Sequence, residues 1–137
     1  MASNHSIIKI EATNELIGDP MEIKLFNFGK FTLNQSPADP DAIFSFESAR
    51  GHQGTVYRRY EFESELQRMS VIAKSSLTQT FHVYADGSPE MMLNVMKSSS
   101  VPKNYNEMLK EYASHGFRVL TVASKSVNEE EMKSLSR

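Results

Sequence analysis

Cysteine is absent from the 137 residues, which removes disulfides, thiolate zinc sites and thiol nucleophiles in one step. A basic excess is missing as well: 15 Lys and Arg face 17 Asp and Glu, for a formal net charge of -2. Phosphate-backbone binders normally carry surplus cations, so a nucleic-acid partner is not expected. No apolar run approaches the ~20 residues that span a bilayer, and Met1 to Ser6 lacks the basic and apolar regions of a secretory leader. His5, His52, His82 and His115 have neither a second His nor a carboxylate pair at metal-ligand spacing, so no metal site is expected. The chain also has no GxSxG elbow, no GxxxxGK phosphate loop and no HExxH.

What is present is ordinary globular material. Hydrophobic residues are 39% and charged residues 23%, which fits one folded domain over residues 1–137 rather than a disordered tail. No extended apolar surface pattern demands a partner, so a monomer is expected. The least structured stretch runs from Asn34 to Gly54, with Pro37, Pro40, Gly51 and Gly54 among polar residues. It reads as a long connection around an apolar island, Ile43 to Phe46, with strand character.

Four helix patterns stand out. Asp19, Pro20 and Glu22 open the first, with Met21, Leu25 and Phe28 as its apolar stripe and Gly29 near its end. Ser88, Pro89 and Glu90 open a second, with Met92, Val95 and Met96 on one face. A third runs from Pro102 to His115 on Tyr105, Met108, Leu109, Tyr112 and Ala113, and Gly116 stops it. Asn128 and Glu131 have the spacing of a capping box for a fourth. Strand patterns occupy Thr55 to Phe62, Arg68 to Lys74, Thr80 to Ala85 and Phe117 to Ala123, with a turn signal at Asp86-Gly87. Short connections between consecutive strands imply antiparallel pairing, so the fold class is α+β: a twisted antiparallel sheet flanked by helices.

Local chemistry alone is modest. Asp19 and Glu22, three apart at a helix start, form a capping box more readily than an acid–base pair. The eight methionines fall mostly at helical spacing and serve as core filler. Asp86 to Glu90 is a strand, a glycine and a helix N-terminus, a place where backbone amides meet an anion, although the same residues serve a purely structural junction.

Taken in order, however, Gly18-Asp19-Pro20-Met21-Glu22, Phe62 with Arg68-Met69-Ser70-Val71, Gly87-Ser88-Pro89-Glu90 and Gly116-Phe117-Arg118-Val119-Leu120 resemble the nucleotide-binding domain of P-type ATPases. The likeness covers roughly Ala2 to Val127. Leu66 to Val71 and the start through His5-Ser6 look most like the fifth class, B branch, whose members are linked to polyamine and cation transport in endolysosomal or vacuolar membranes. The resemblance implies that Phe62 stacks on adenine, Glu22 accepts from the adenine amino group, and Gly87 lets backbone approach the purine. It further implies that Arg118 reaches toward the phosphates, and that Gln67 with Arg68 keeps the fifth-class pattern. Asp86 occupies the first position of the family's Lys-Gly-Ala/Ser-Pro-Glu, where a lysine lies in the pocket, and Asn4 stands where a cysteine is expected before His5.

The likeness implies ATP with Mg2+ as ligand, the magnesium being held mainly by a phosphorylation domain. It implies the phosphorylation and actuator domains and membrane helices of a parent pump as partners. No Asp-Lys-Thr-Gly phosphorylation motif occurs, so the chain is expected to hold nucleotide as a cytosolic domain of a membrane enzyme without hydrolysing it. The alternative is a non-catalytic interaction domain of the same fold that has lost strong nucleotide binding, for which Asp86 is the best sign.

Overall fold

Short alternating segments dominate the chain, and they assemble as a meander. The computed structural model describes residues 3–135. A two-stranded antiparallel ribbon, β1 (Ile8–Lys9) and β2 (Leu16–Ile17), precedes helix α1 (Pro20–Phe28). Strands β3 (Phe31–Asn34), β4 (Phe44–Ser48), β5 (Gln53–Glu63), β6 (Arg68–Ser75) and β7 (Phe81–Gly87) follow. Helices α2 (Pro89–Met92) and α3 (Tyr105–Ser114), strand β8 (Thr121–Val127) and helix α4 (Glu129–Leu135) complete the order. β3 to β8 lie side by side in chain order, each antiparallel to the next. The α+β expectation is met. No helix among the described residues is long and apolar enough to cross a membrane.

Alternation along the strands separates two faces. Val56 pairs with Ala73, and Val71 pairs with Tyr84. Val56, Val71 and Ala73 join Ile7, Phe26, Leu33 and Phe44 in one buried cluster, with Tyr84 packed against it. The other face carries Ile72, fully buried, and receives the helical excursion between β7 and β8. There the Tyr105 hydroxyl sits 2.5 Å from Thr121 Oγ1 and donates to the Pro89 carbonyl oxygen at 3.0 Å, tying α3 to α2 and β8.

Several expectations shift in detail, each for a physical reason. The strand expected at the Ile43–Phe46 island forms, with its bounds moved to Phe44–Ser48, because Phe44 and Phe46 find antiparallel partners in Val56 and Gly54. The Asp86-Gly87 turn is the last step of β7: Asp86 pairs with Met69 and Val122, and Gly87 with Arg68 and Thr121. Phe117 to Leu120 is not strand. β7 ends at Gly87, opposite Thr121, so the four preceding residues have no neighbour to pair with.

Helix α1 turns a different face inward from the expected stripe. Phe26 is 1% exposed and Phe28 is 89% exposed, so Phe26, with Ile23 packed against the cluster, carries the core contact. The second helix stops at Met92, leaving Val95 half exposed. Gly116, at φ +77°, ends α3 as expected, since only glycine takes that conformation without cost. The Asn128–Glu131 box is formed reciprocally: Asn128 N donates to Glu131 Oε2 at 2.9 Å, and Glu131 N to Asn128 Oδ1 at 2.8 Å.

Candidate functional site

The inner face of the sheet does not stay filled to its end. Beyond the Val71–Tyr84 row, the next row across β6, β7 and β8 is Met69, Asp86 and Val122, and all three line a cavity of about 780 Å³. Helix α1 forms the opposite wall with Met21, Glu22 and Leu25, preceded by its cap Asp19. The segment ahead of β1 contributes Asn4 and His5. The β5–β6 hairpin supplies Phe62, Ser64 and Gln67, and the stretch before β8 supplies Arg118, Val119 and Leu120. The volume is that of a small-molecule pocket.

Six of the seven residues singled out from sequence, Glu22, Phe62, Gln67, Asp86, Gly87 and Arg118, line this one cavity. Arg68 is not among the lining residues. It precedes Met69 on β6, so the period of two that aims Met69 inward assigns Arg68 to the other face.

Phe62 reaches the cavity through a defect in the ladder. Tyr60 pairs with Ser70 on the outer face, and strict alternation would put Phe62 there too. The register breaks between Tyr60 and Glu63, and such a bulge re-aims the side chains that follow it. Phe62 lines the cavity and is 58% exposed, and an exposed aromatic ring is suited to stacking on a planar group.

Gln67 and Gly87 are locked together. Gln67 adopts φ +47° in the hairpin turn, and its carbonyl oxygen accepts from Ser88 N at 2.9 Å while its Oε1 accepts from Ser88 Oγ at 2.8 Å. A Cβ on Gly87 would lie 2.4 Å from that same Gln67 carbonyl oxygen and 2.7 Å from Arg68 Cβ. Glycine is therefore required here by the close approach of the hairpin backbone.

The expected capping box at α1 is only half made. Asp19 Oδ1 accepts from Met21 N at 2.9 Å and Glu22 N at 3.2 Å. Glu22 does not return the bond; its Oε2 accepts from Ser6 N at 3.0 Å. Burial raises the Glu22 carboxyl above the ordinary value, opposed by the Ser6 amide. Beside it, Ser6 Oγ donates to Glu61 Oε2 at 3.2 Å, and Arg59 bonds Glu61 at 2.6 Å and the His5 carbonyl oxygen at 3.2 Å.

Asp86 hangs from the sheet into the cavity. Burial raises its carboxyl above the ordinary value, opposed by the bond it accepts from Asn4 Nδ2, with Glu22 adding to the rise. Asn4 and Asp86, the two departures from the family's wording, thus meet. Asn4 Nδ2 also lies 3.4 Å from the Met69 carbonyl oxygen. His5, expected as packed or surface, is 1% exposed, with ring centroids 5.1 Å from both Phe26 and Phe44.

Sequence reasoning missed the apolar floor. From sequence, Met21 and Leu25 read only as part of an apolar helix stripe, and Met69, Val119 and Leu120 only as parts of motifs, with no individual role. The 3.6-residue period puts Met21 and Leu25 on one face, but only the fold shows that a cavity meets that face.

Comparison with known proteins agrees with this architecture. Residues 1–137 match the model of the family described as P-type ATPase, cytoplasmic domain N. The chain is 35% identical over 155 aligned positions to the human probable cation-transporting ATPase 13A5, and 32% over 148 to its mouse counterpart. Those alignments cover 100% and 98% of this chain, and 12% of each relative. It is 27% identical over 154 positions to the mouse polyamine-transporting ATPase 13A3, covering 93% of this chain and 12% of that protein.

Proposed function

This chain belongs to the family of P-type ATPase cytoplasmic N domains, and we propose from that premise that its cavity holds adenine nucleotide and presents the γ-phosphate to an aspartate of a separate phosphorylation domain. The chain spans 12% of the length of the human and mouse cation-transporting relatives. The reading therefore treats it as one module of a cation- or polyamine-transporting pump, on the cytosolic side of an endolysosomal or vacuolar membrane. The observation that carries it is the convergence of residues from four separate segments, Glu22, Phe62 with Gln67, Asp86 with Gly87, and Arg118, on one cavity.

Each residue has a task suited to its chemistry. Phe62 offers a ring face to the base. Glu22, fixed by Ser6, keeps an oxygen for the exocyclic amino group. Gly87 brings backbone to the cavity wall, held there by the close packing of the Gln67 hairpin against it. Arg118, exposed at the mouth, suits bidentate contact with a phosphate. Met21, Leu25, Met69 and Val122 supply the apolar walls for the base. In the parent enzyme this is phosphoryl transfer by positioning and charge neutralisation. Magnesium enters there with the nucleotide, and the reading assigns its ligands mainly to the phosphorylation domain.

A second reading is favoured by one observation, the Asp86 carboxylate inside the cavity: a domain of the same fold that has lost strong nucleotide binding and serves for interaction. A titration with ATP followed by backbone amide shifts separates the two. Saturable shifts clustered on Glu22, Phe62, Gln67, Gly87 and Arg118 are expected. Shifts absent at millimolar ATP and at millimolar adenosine would leave only the second reading.

A further inference from the structure

The wall between α1 and the sheet is made of acceptors. Asn4 is 7% exposed. Its Nδ2 is engaged by Asp86 and by the Met69 carbonyl oxygen, while its Oδ1 has no hydrogen-bond partner. A buried amide oxygen left unpaired is costly, and that cost is borne where Asn4 Nδ2 holds the Asp86 carboxylate in place. Asp86 presents its carboxylate from the sheet and Glu22 from α1, and Asp19 adds a third carboxylate at the rim. Against these three, Arg118 is the one Lys or Arg lining the cavity among the described residues. These carboxylates offer acceptors to a donor-bearing ligand.

We propose that the Asn4–Asp86 pair is a specificity determinant: it sets the cavity to read the N–H donors of a purine nucleoside and to disfavour the phosphates attached to it. The inference rests on the nucleotide reading above and adds an order of preference to it. Held in place by Asn4 Nδ2, the Asp86 carboxylate accepts one N–H of the exocyclic amino group while Glu22 accepts the other, and its negative charge repels a polyphosphate chain. Metal-free ATP then binds no more tightly than adenosine. In a pocket with a cation at this position the order runs the other way.

Calorimetric titration of this chain with adenosine, AMP, ADP and ATP, without divalent metal and at low ionic strength, tests it. The expected result is affinity that is level or falling from adenosine to ATP. Asp86→Lys is expected to reverse the order, with ATP gaining about tenfold over adenosine and the gain shrinking as salt rises. Asp86→Asn, isosteric and still able to accept from Asn4, is expected to move the ratio partway and guards against misfolding of the lysine variant. Asn4→Ala is expected to weaken adenosine severalfold. Wild-type chain that binds ATP tenfold more tightly than adenosine overturns the inference and leaves the nucleotide reading standing. So does an adenosine-to-ATP ratio unchanged in both Asp86 variants. Wild-type chain that binds none of the four removes the nucleotide reading and this inference with it.

Discussion

Asn4, from the segment ahead of the first strand, donates its side-chain amide to the carboxylate of Asp86 on β7, a contact between residues 82 positions apart. The contact pins the start of the chain across the inner face of the sheet, and it explains how a carboxylate is kept in a largely apolar cavity. Without a donor, its burial would be far more costly.

That burial has a pH signature. The Asp86 carboxyl is raised above the ordinary value, chiefly by desolvation, so the native state binds its proton more tightly than the unfolded state does. Stability from this group is fully present below the unfolded carboxylate range, about pH 4, and is lost as pH rises through the native value. Asp86→Asn removes the titration and keeps an oxygen for Asn4. The variant is expected to melt at higher temperature than wild type at pH 7, with the difference closing as pH falls to about 4. Glu22, also raised, adds to the Asp86 rise, so the comparison is made in a Glu22→Gln background as well, where the same closing difference is expected. A melting difference of constant size across that range would show that Asp86 is not the titrating group.

Phe62 carries a prediction about binding with little consequence for stability. It is 58% exposed, so truncation removes little core. Stacking on one base is worth about 1–3 kcal/mol, and Phe62→Ala is expected to weaken adenine nucleotide binding about tenfold or more. The melting curve should stay close to wild type, since exposed substitutions cost within about 0.5 kcal/mol. Calorimetry and thermal melting on the same sample check both halves, and an unchanged dissociation constant would remove Phe62 from the site.

How far the sequence reaches can be judged from particular residues. The cap at Asp19, the stop at Gly116 and the Asn128–Glu131 box were all legible, because each is a contact between residues close in sequence. The continuation of β7 through Asp86-Gly87 was not, since the dipeptide is a local turn signal overruled by ladder partners on both sides. The site was legible as a set of residue types in order, not as a place. The bulge that turns Phe62 inward and the alternation that turns Arg68 away depend on register, which one strand alone does not specify. Asn4 was visible as a departure, but its role depends on a residue more than half the chain away.

Helix α1 allows a sharp comparison between two phenylalanines two residues apart. Phe26 is 1% exposed and belongs to the central cluster, while Phe28 is 89% exposed. Phe26→Ala is expected to destabilise the domain by about 3–5 kcal/mol, and Phe28→Ala to change it by no more than about 0.5 kcal/mol. Urea unfolding of the two variants is the measurement. Equal losses would mean that the helix presents the Met21–Leu25–Phe28 stripe to the core, and the cavity wall described above would have to be redrawn.

Gly87 tests whether the glycine serves the fold or only the ligand. A methyl group there would lie 2.4 Å from the Gln67 carbonyl oxygen, 2.7 Å from Arg68 Cβ and 2.9 Å from Arg68 Cα. Two of those three atoms are backbone, and Gln67 is already held at φ +47° and bonded twice to Ser88, so the hairpin has little room to yield. Overpacking of this kind costs about 1–3 kcal/mol. Gly87→Ala is therefore expected to lower the unfolding free energy by that amount, read as a lower urea midpoint with an unchanged slope, in the complete absence of nucleotide. A glycine needed only for backbone approach to a purine would behave differently: the alanine variant would unfold at the wild-type midpoint when ligand-free and lose only its affinity. The ligand-free unfolding curve thus assigns Gly87 to the hairpin–strand junction or to the ligand surface, and the geometry favours the junction.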